Sequence, residues 1–163
     1  MPRTSGYSAA QIALHWAVVV LVAAQYVFKG TIAAAWDAIV AGRAYEFHPL
    51  ILAHVGGGML ILVLVLARLA LRVKRGAPPP PENEPAILKL LAHAVHGAFY
   101  LVLILMSVSG GMAWFTGAQT AAAAHNLFKV VLLALIAMHV LAIPFHALVL
   151  KNNVMRRMVR PEA

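Results

Sequence analysis

The sequence predicts an all-α fold, an integral membrane bundle of four helices. Of its 163 residues, 63% are hydrophobic and only 11% are charged, which leaves too little polar surface for a soluble domain of this size. Four apolar stretches, at about residues 11–28, 50–73, 87–115 and 121–150, approach or exceed the roughly 20 residues of a bilayer crossing. No repeat or domain boundary is visible, so we expect residues 1–163 to form one domain.

Basic side chains are concentrated at one end of the predicted bundle. Three of them, Lys29, Arg43 and Lys129, fall at the other end. Positive residues favour the cytoplasmic side, so both termini are predicted to be cytoplasmic in an inner (plasma) membrane. The net charge of +8 thus reflects topology, and no nucleic-acid partner is expected. The residues at the cytoplasmic end are Arg3, Arg68, Arg72, Lys74, Arg75, Lys89, Lys151, Arg156, Arg157 and Arg160.

The connections between the spans have distinct compositions. Gly30 to Phe47, between the first two spans, carries large apolar residues at near-helical spacing, which predicts a short interfacial helix. The proline-rich connection from Lys74 to Glu82 predicts a stiff polyproline spacer, with a docking site for a proline-reading domain as the alternative.

Histidines are the main candidates for holding a cofactor. The chain has eight histidines and no cysteine, which excludes iron–sulfur clusters, covalently attached haem and thiolate-bound zinc. His125 and His139 are 14 residues apart on the fourth span, about 21 Å along the axis and within about 40° of one face. Depth in the membrane pairs His139 with His15 near the cytoplasm and His125 with His54 near the outer surface.

Two histidine pairs at opposite depths match the needs of two b-type haems, because each haem iron takes one axial nitrogen from either face. Zinc needs three or four ligands placed close together. A non-redox bundle, in which the histidines only form hydrogen bonds between helices, is the alternative from another class.

Three further residues are candidates for contacts with these haems, each with a structural alternative. Arg68 reaches the depth of the cytoplasmic pair and either binds haem propionates or anchors the helix. Gly58, in a run of three glycines after His54, either admits a flat macrocycle or allows close helix packing. Lys129 either snorkels towards water or neutralises an outer propionate.

The other four histidines give weaker signals. His48 precedes the second span and is expected to be a solvated interface residue. His93 and His96 open the third span as alternative ligands, hydrogen-bond donors to a ligand, or substrate contacts, with His96 the deeper of the two. His146 lies seven residues beyond His139, where it is suited to handling protons at the cytoplasmic surface.

Several of these elements occur together in one known family. They are Tyr7-Ser8 followed by Gln11 to Trp16, His54 with Gly58 and Arg68, His93 with His96 and Tyr100, the spacing from His125 to His139, and the ending His146 to Met158 with Asn152-Asn153. In this order, over nearly the whole chain, the sequence resembles the bacterial four-helix cytochrome b561 proteins. In that family the first outer loop is somewhat shorter and the connection from Thr116 to Ala124 is longer.

The resemblance implies a di-haem, quinone-linked cytochrome of the inner membrane, with His15, His54, His125 and His139 as haem ligands. The implied function is electron transfer between quinone and a donor or acceptor, including oxidation of superoxide at the periplasmic face. We expect the quinone at the cytoplasmic haem, beside His96 or His146. The alternative is a haem-bearing anchor subunit that takes electrons from a dehydrogenase or a periplasmic redox partner.

Overall fold

The computed structural model describes residues 6–81, 84–152 and 154–161, and over these ranges it is helical without strands. Arg3, Glu82 and Asn153 lie outside the described residues. The four long helices α1, α3, α4 and α5 are apolar and long enough to cross a membrane, which confirms the four predicted spans. The elements are α1 (Ala9–Val27), α2 (Lys29–Val40), α3 (Pro49–Arg75), α4 (Ala86–Thr116), α5 (Gln119–Leu148) and a C-terminal 3-10 helix (Val154–Met158).

Local sequence signals set the helix ends. Ser8 and Gln11 form a capping box at the start of α1, which satisfies backbone groups that the first turn leaves unpaired. His48 caps α3 by accepting a hydrogen bond from the Leu50 amide at 3.2 Å. Gly117 ends α4 with a φ of 71°, a left-handed conformation that favours glycine. The connection from α4 to α5 is therefore only Gly117 and Ala118.

The predicted interfacial segment is confirmed as helical, since α2 covers Lys29 to Val40. It packs against α3 and, less extensively, against α1. Pro144 does not end α5, which continues to Leu148.

The four long helices pack in the order α1, α3, α4, α5. A buried apolar cluster joins them midway along their length and includes Val18, Val65, Leu103 and Leu132. Large side chains on the opposite faces, such as Val20 and Leu141, are 65% and 67% exposed. Apolar outer faces of this kind are expected where lipid, not water, surrounds a bundle.

The end of the bundle where α1 begins and α5 ends, here called the terminal end, is closed by its own connections. Gln11 donates a hydrogen bond to the Gly76 carbonyl at 3.1 Å. The Trp16 indole donates to the carbonyl of Met158 at 2.8 Å, and Arg157 donates to that of Pro79 at 2.7 Å. The polyproline connection is thus held against the C-terminal segment and is not a free spacer over its described part.

Candidate functional site

The structure brings together both histidine pairs that depth in the membrane predicts. In the inner pair, the ring centres of His15 and His139 are 6.4 Å apart with an interplanar angle of 62°. In the outer pair, those of His54 and His125 are 6.5 Å apart at 68°. Two sites of nearly equal geometry therefore lie at the two depths.

Each pair joins helices whose backbones are not closely packed. The inner pair connects α1 with α5 and the outer pair connects α3 with α5, whereas the close packing is between α1 and α3, α3 and α4, and α4 and α5. The imidazoles therefore face each other across the wider separations of the bundle. A flat group between two rings requires such a separation.

The spacing of the rings fits one metal ion between two imidazoles. A metal–imidazole bond is about 2 Å long and the nitrogen lies about 1 Å from the ring centre, so the two centres should be about 6 Å apart. The observed 6.4 and 6.5 Å agree with this value. No group of three or more His, Cys, Asp or Glu able to hold a metal ion occurs in residues 6–81, 84–152 and 154–161. Haem fits such a pair, because its macrocycle supplies the other nitrogens.

Ring nitrogens in these pairs are also placed for ligation. His125 Nδ1 lies 2.9 Å from the Met106 carbonyl oxygen, and such a bond leaves Nε2 for a metal and fixes the ring. Nδ1 of His15 and Nδ1 of His54 are buried without a hydrogen-bond partner in the described parts of the chain. Buried polar atoms are usually paired, so these two imidazoles are consistent with a bound group.

A cavity of about 260 Å³ adjoins the outer pair, and residues of α2 form part of its lining. Gly58 lines it, and a side-chain carbon there would meet nothing within 4 Å. Lys129 also lines it, with Nζ bonded to Asn126 Oδ1 at 2.9 Å. Both residues therefore lie beside the outer pair, and their roles towards a haem stay predictions.

Arg68 lies at the inner pair. Its guanidinium carbon is 5.9 Å from the centre of the Tyr100 ring, a cation–π contact. It is also close enough to interact electrostatically with His15 and His139. The predicted depth of Arg68 is therefore correct, and its role towards a propionate stays a prediction.

His96 packs directly on the inner pair. Its ring centre is 5.4 Å from that of His139, at an interplanar angle of 89°. Phe99 makes a second edge-to-face contact with His139, also at 5.4 Å. His93, by contrast, is exposed and its Nδ1 is bonded to the Lys89 carbonyl of its own helix at 2.6 Å.

His146 is paired with a buried acid at the terminal end. Its Nε2 is 3.6 Å from Oε1 of Glu84, and its Nδ1 is 3.1 Å from Oδ1 of Asn152. The side chains of His146 and Glu84 are 15% and 3% exposed. The acid precedes the N-terminus of α4 and the histidine is in the last turn of α5, where helix dipoles favour a negative and a positive charge respectively.

Comparison with known proteins agrees with this geometry. The family model for prokaryotic cytochrome b561 matches residues 6–161. The chain belongs to the prokaryotic cytochrome b561 family. It is 32% identical to a protein named cytochrome b562 from Cereibacter sphaeroides, over 99% of both chains. It is 31% identical to a probable superoxide oxidase CybB from Yersinia pestis, over 94% of this chain and 95% of that one.

Membership in the cytochrome b561 family supports electron transfer by a membrane-bound b-type cytochrome, with haem b as cofactor. Together with the four spans, it supports a multi-pass protein of the bacterial inner membrane, in contact with lipid. Which residues hold haem in this member of the cytochrome b561 family stays a prediction.

Two residues at these sites were missed by sequence reasoning. Gly110 contacts His125 so closely that a side-chain carbon would lie 2.8 Å from its Nδ1. The sequence could have indicated Gly110, because the Gly110-Gly111 pair interrupts an apolar helix. Glu84 gave a weaker signal, since an acid in a polar connection reads as a solvated residue until its burial is known.

Proposed function

We propose that this protein carries electrons across the membrane through two b-type haems, one held by His15 and His139 and the other by His54 and His125. The observation that carries the proposal is the nearly equal ring spacing of the two pairs, 6.4 and 6.5 Å. When bound, haem supplies one-electron transfer. The chain's own contribution is to hold the two groups about 21 Å apart along α5.

The proposed orientation places the terminal end in the cytoplasm. The support is the excess of basic residues at that end, among them Arg72, Arg75 and Arg157, since positive residues favour the cytoplasmic side. In this orientation the inner pair lies towards the cytoplasm and the outer pair towards the periplasm.

Arg68 and Lys129 are proposed to bind haem propionates, at the inner and outer pair respectively. Each supplies a cation at the depth of its pair, and a guanidinium forms two parallel hydrogen bonds with a carboxylate. Gly58 is proposed to leave room for the edge of the outer macrocycle, because it lines the outer cavity without a side chain.

The inner haem is proposed to exchange electrons with a quinone. Reduction of a quinone to a quinol consumes two electrons and two protons, so the site needs a titratable group near water. His146 and His96 are the candidates. His146 is supported by its buried partner Glu84 at 3.6 Å and by its position at the terminal end, whereas His96 lies against the ligand candidate His139.

Superoxide is proposed as an electron donor at the outer pair. The support is a relative in Yersinia pestis that is named a probable superoxide oxidase. Two superoxide ions would give two molecules of oxygen and two electrons, which reduce one quinone to a quinol with two protons taken from the inner side.

Haem content tests the core of the proposal. The purified protein should hold two haems per chain, and His15→Ala or His139→Ala should remove one while the outer haem survives. His54→Ala or His125→Ala should remove the other. His48→Ala is the matched control, because His48 caps α3 and belongs to neither pair. Full haem content in the His139→Ala variant would contradict the proposed pairs.

Quinone reactivity is tested separately. His146→Phe should lower the rate of electron exchange with a water-soluble quinol analogue at least tenfold while both haem spectra stay unchanged. A normal rate would exclude His146 and leave His96 as the candidate; a normal rate in the double variant His96→Phe/His146→Phe would place the quinone elsewhere. The anchor-subunit alternative is tested with the purified protein alone. If it transfers electrons from superoxide to quinone without a dehydrogenase or a periplasmic redox partner, that alternative is excluded.

A further inference from the structure

The two histidines of α5 face equivalent positions on α4. His125 and His139 are 14 residues apart, and so are Gly110 and His96. Because α4 and α5 form an antiparallel hairpin with a two-residue connection, Gly110 lies against His125 and His96 lies against His139. The inner site therefore carries a histidine where the outer site carries a glycine.

The same equivalence extends to a backbone carbonyl. Met106 and Ala92 each precede those α4 positions by four residues. At the outer site, the Met106 carbonyl oxygen is 2.9 Å from Nδ1 of His125. At the inner site, the Ala92 carbonyl oxygen is instead 2.6 Å from Nδ1 of His96.

This difference changes how each α5 histidine is oriented. The absence of a side chain at Gly110 lets the His125 ring reach across to the backbone of α4. At the inner site, the His96 side chain occupies the equivalent position. Its own Nδ1 bonds to the Ala92 carbonyl, and its ring lies at 89° to that of His139. His139 therefore packs against another imidazole, whereas His125 bonds to the backbone of α4.

We infer that His96 is the positioning residue of His139. The bond to the Ala92 carbonyl fixes the His96 ring, and the His96 ring fixes the plane of the His139 ring. The inference rests on the proposed function, in which His139 is an axial ligand of the inner haem. Groups that orient a ligand imidazole influence how tightly the metal group is held and how it behaves electronically. His96 then acts on the inner haem through His139, whether or not a quinone is bound.

The test compares His96→Ala with His93→Ala. His93 is a matched control, because it is on the same helix and its Nδ1 bonds to a carbonyl four residues earlier at the same 2.6 Å, but it is exposed. The readouts are electron paramagnetic resonance of the oxidised holoprotein and potentiometric titration of each haem, in quinone-free detergent. The resonance of a low-spin bis-imidazole haem depends on the angle between the ring planes.

In His96→Ala, the inner haem signal should broaden or move, its midpoint potential should shift, and its retention should fall by about 10–100-fold. The outer haem should not change, and His93→Ala should leave both haems as they are. An unchanged inner haem in His96→Ala would overturn the inference, and so would equal effects of the two variants.

If His96→Ala loses both haems, His96→Phe decides the question, since a phenyl ring can still pack on His139 but cannot bond to the Ala92 carbonyl. A changed inner signal beside a normal outer one then supports the inference, and two normal signals overturn it. An effect on quinone turnover alone, with normal haem signals, would also overturn it. Failure of the proposed function is distinguishable, because His139→Ala would then keep both haems.

Discussion

Gly110 and His125 are in direct contact across α4 and α5, and a side-chain carbon at Gly110 would lie 2.8 Å from Nδ1 of the histidine. That distance is too short for real atoms, so any larger residue must displace the ring. The neighbouring carbonyl of Met106 is 2.9 Å from the same nitrogen. His125 is therefore oriented by the hydrogen bond between its Nδ1 and the Met106 carbonyl, which the lack of a side chain at Gly110 allows.

Gly110→Ala should weaken the outer haem site. Displacing the imidazole costs about 1–3 kcal/mol by overpacking and breaks the bond to Met106, so the outer haem should be lost or change its spectrum while the inner haem remains. Optical spectra and haem content measure this. Gly97→Ala is the control on the same helix, where a side-chain carbon meets nothing within 4 Å. Equal spectra for both variants would contradict the prediction.

Arg68→Leu should lower the midpoint potential of the inner haem. Removing a nearby positive charge makes the reduced form less favourable, by about 1 kcal/mol or about 40 mV for one electron at a partly screened site. Redox titration of both haems measures the shift, and the outer haem is the internal control. If neither potential moves, Arg68 serves as an anchor at the membrane surface.

Glu84 and His146 should be energetically coupled. Removing either partner leaves a buried polar group unsatisfied, which costs about 1–3 kcal/mol. Glu84→Gln and His146→Gln should each lower the free energy of unfolding, and the double variant should lose less than the sum of the two. Thermal unfolding in detergent gives the three values. Additive losses would show that the 3.6 Å contact contributes nothing.

Trp16→Phe should loosen the C-terminal segment. The change removes the indole hydrogen bond to the Met158 carbonyl at 2.8 Å, worth about 0.5–1.5 kcal/mol, while it keeps an aromatic ring near His15. Trypsin should then cleave after Arg156 or Arg157 several times faster. Trp114→Phe controls for the loss of a tryptophan at the other end. Identical cleavage rates in the two variants would count against this contact.

Periodicity along single helices was enough to predict much of the candidate site. The 14-residue spacing from His125 to His139 places both rings on one face at two depths, and the pairing with His54 and His15 follows from the direction of each span. The structure brings those pairs together. Their ligand roles stay predictions that haem content will test.

The sequence by itself determined the four spans, the helix in the first outer loop and the depth of each histidine, because hydrophobic length and helical rise are local properties of the chain. Only the tertiary structure decided which groups touch those histidines. The contact of Gly110 with His125, the insertion of His96 beside His139 and the burial of Glu84 against His146 all depend on how one helix is rotated and shifted against another. That register is set by the packing of many side chains at once, so no local pattern specifies it.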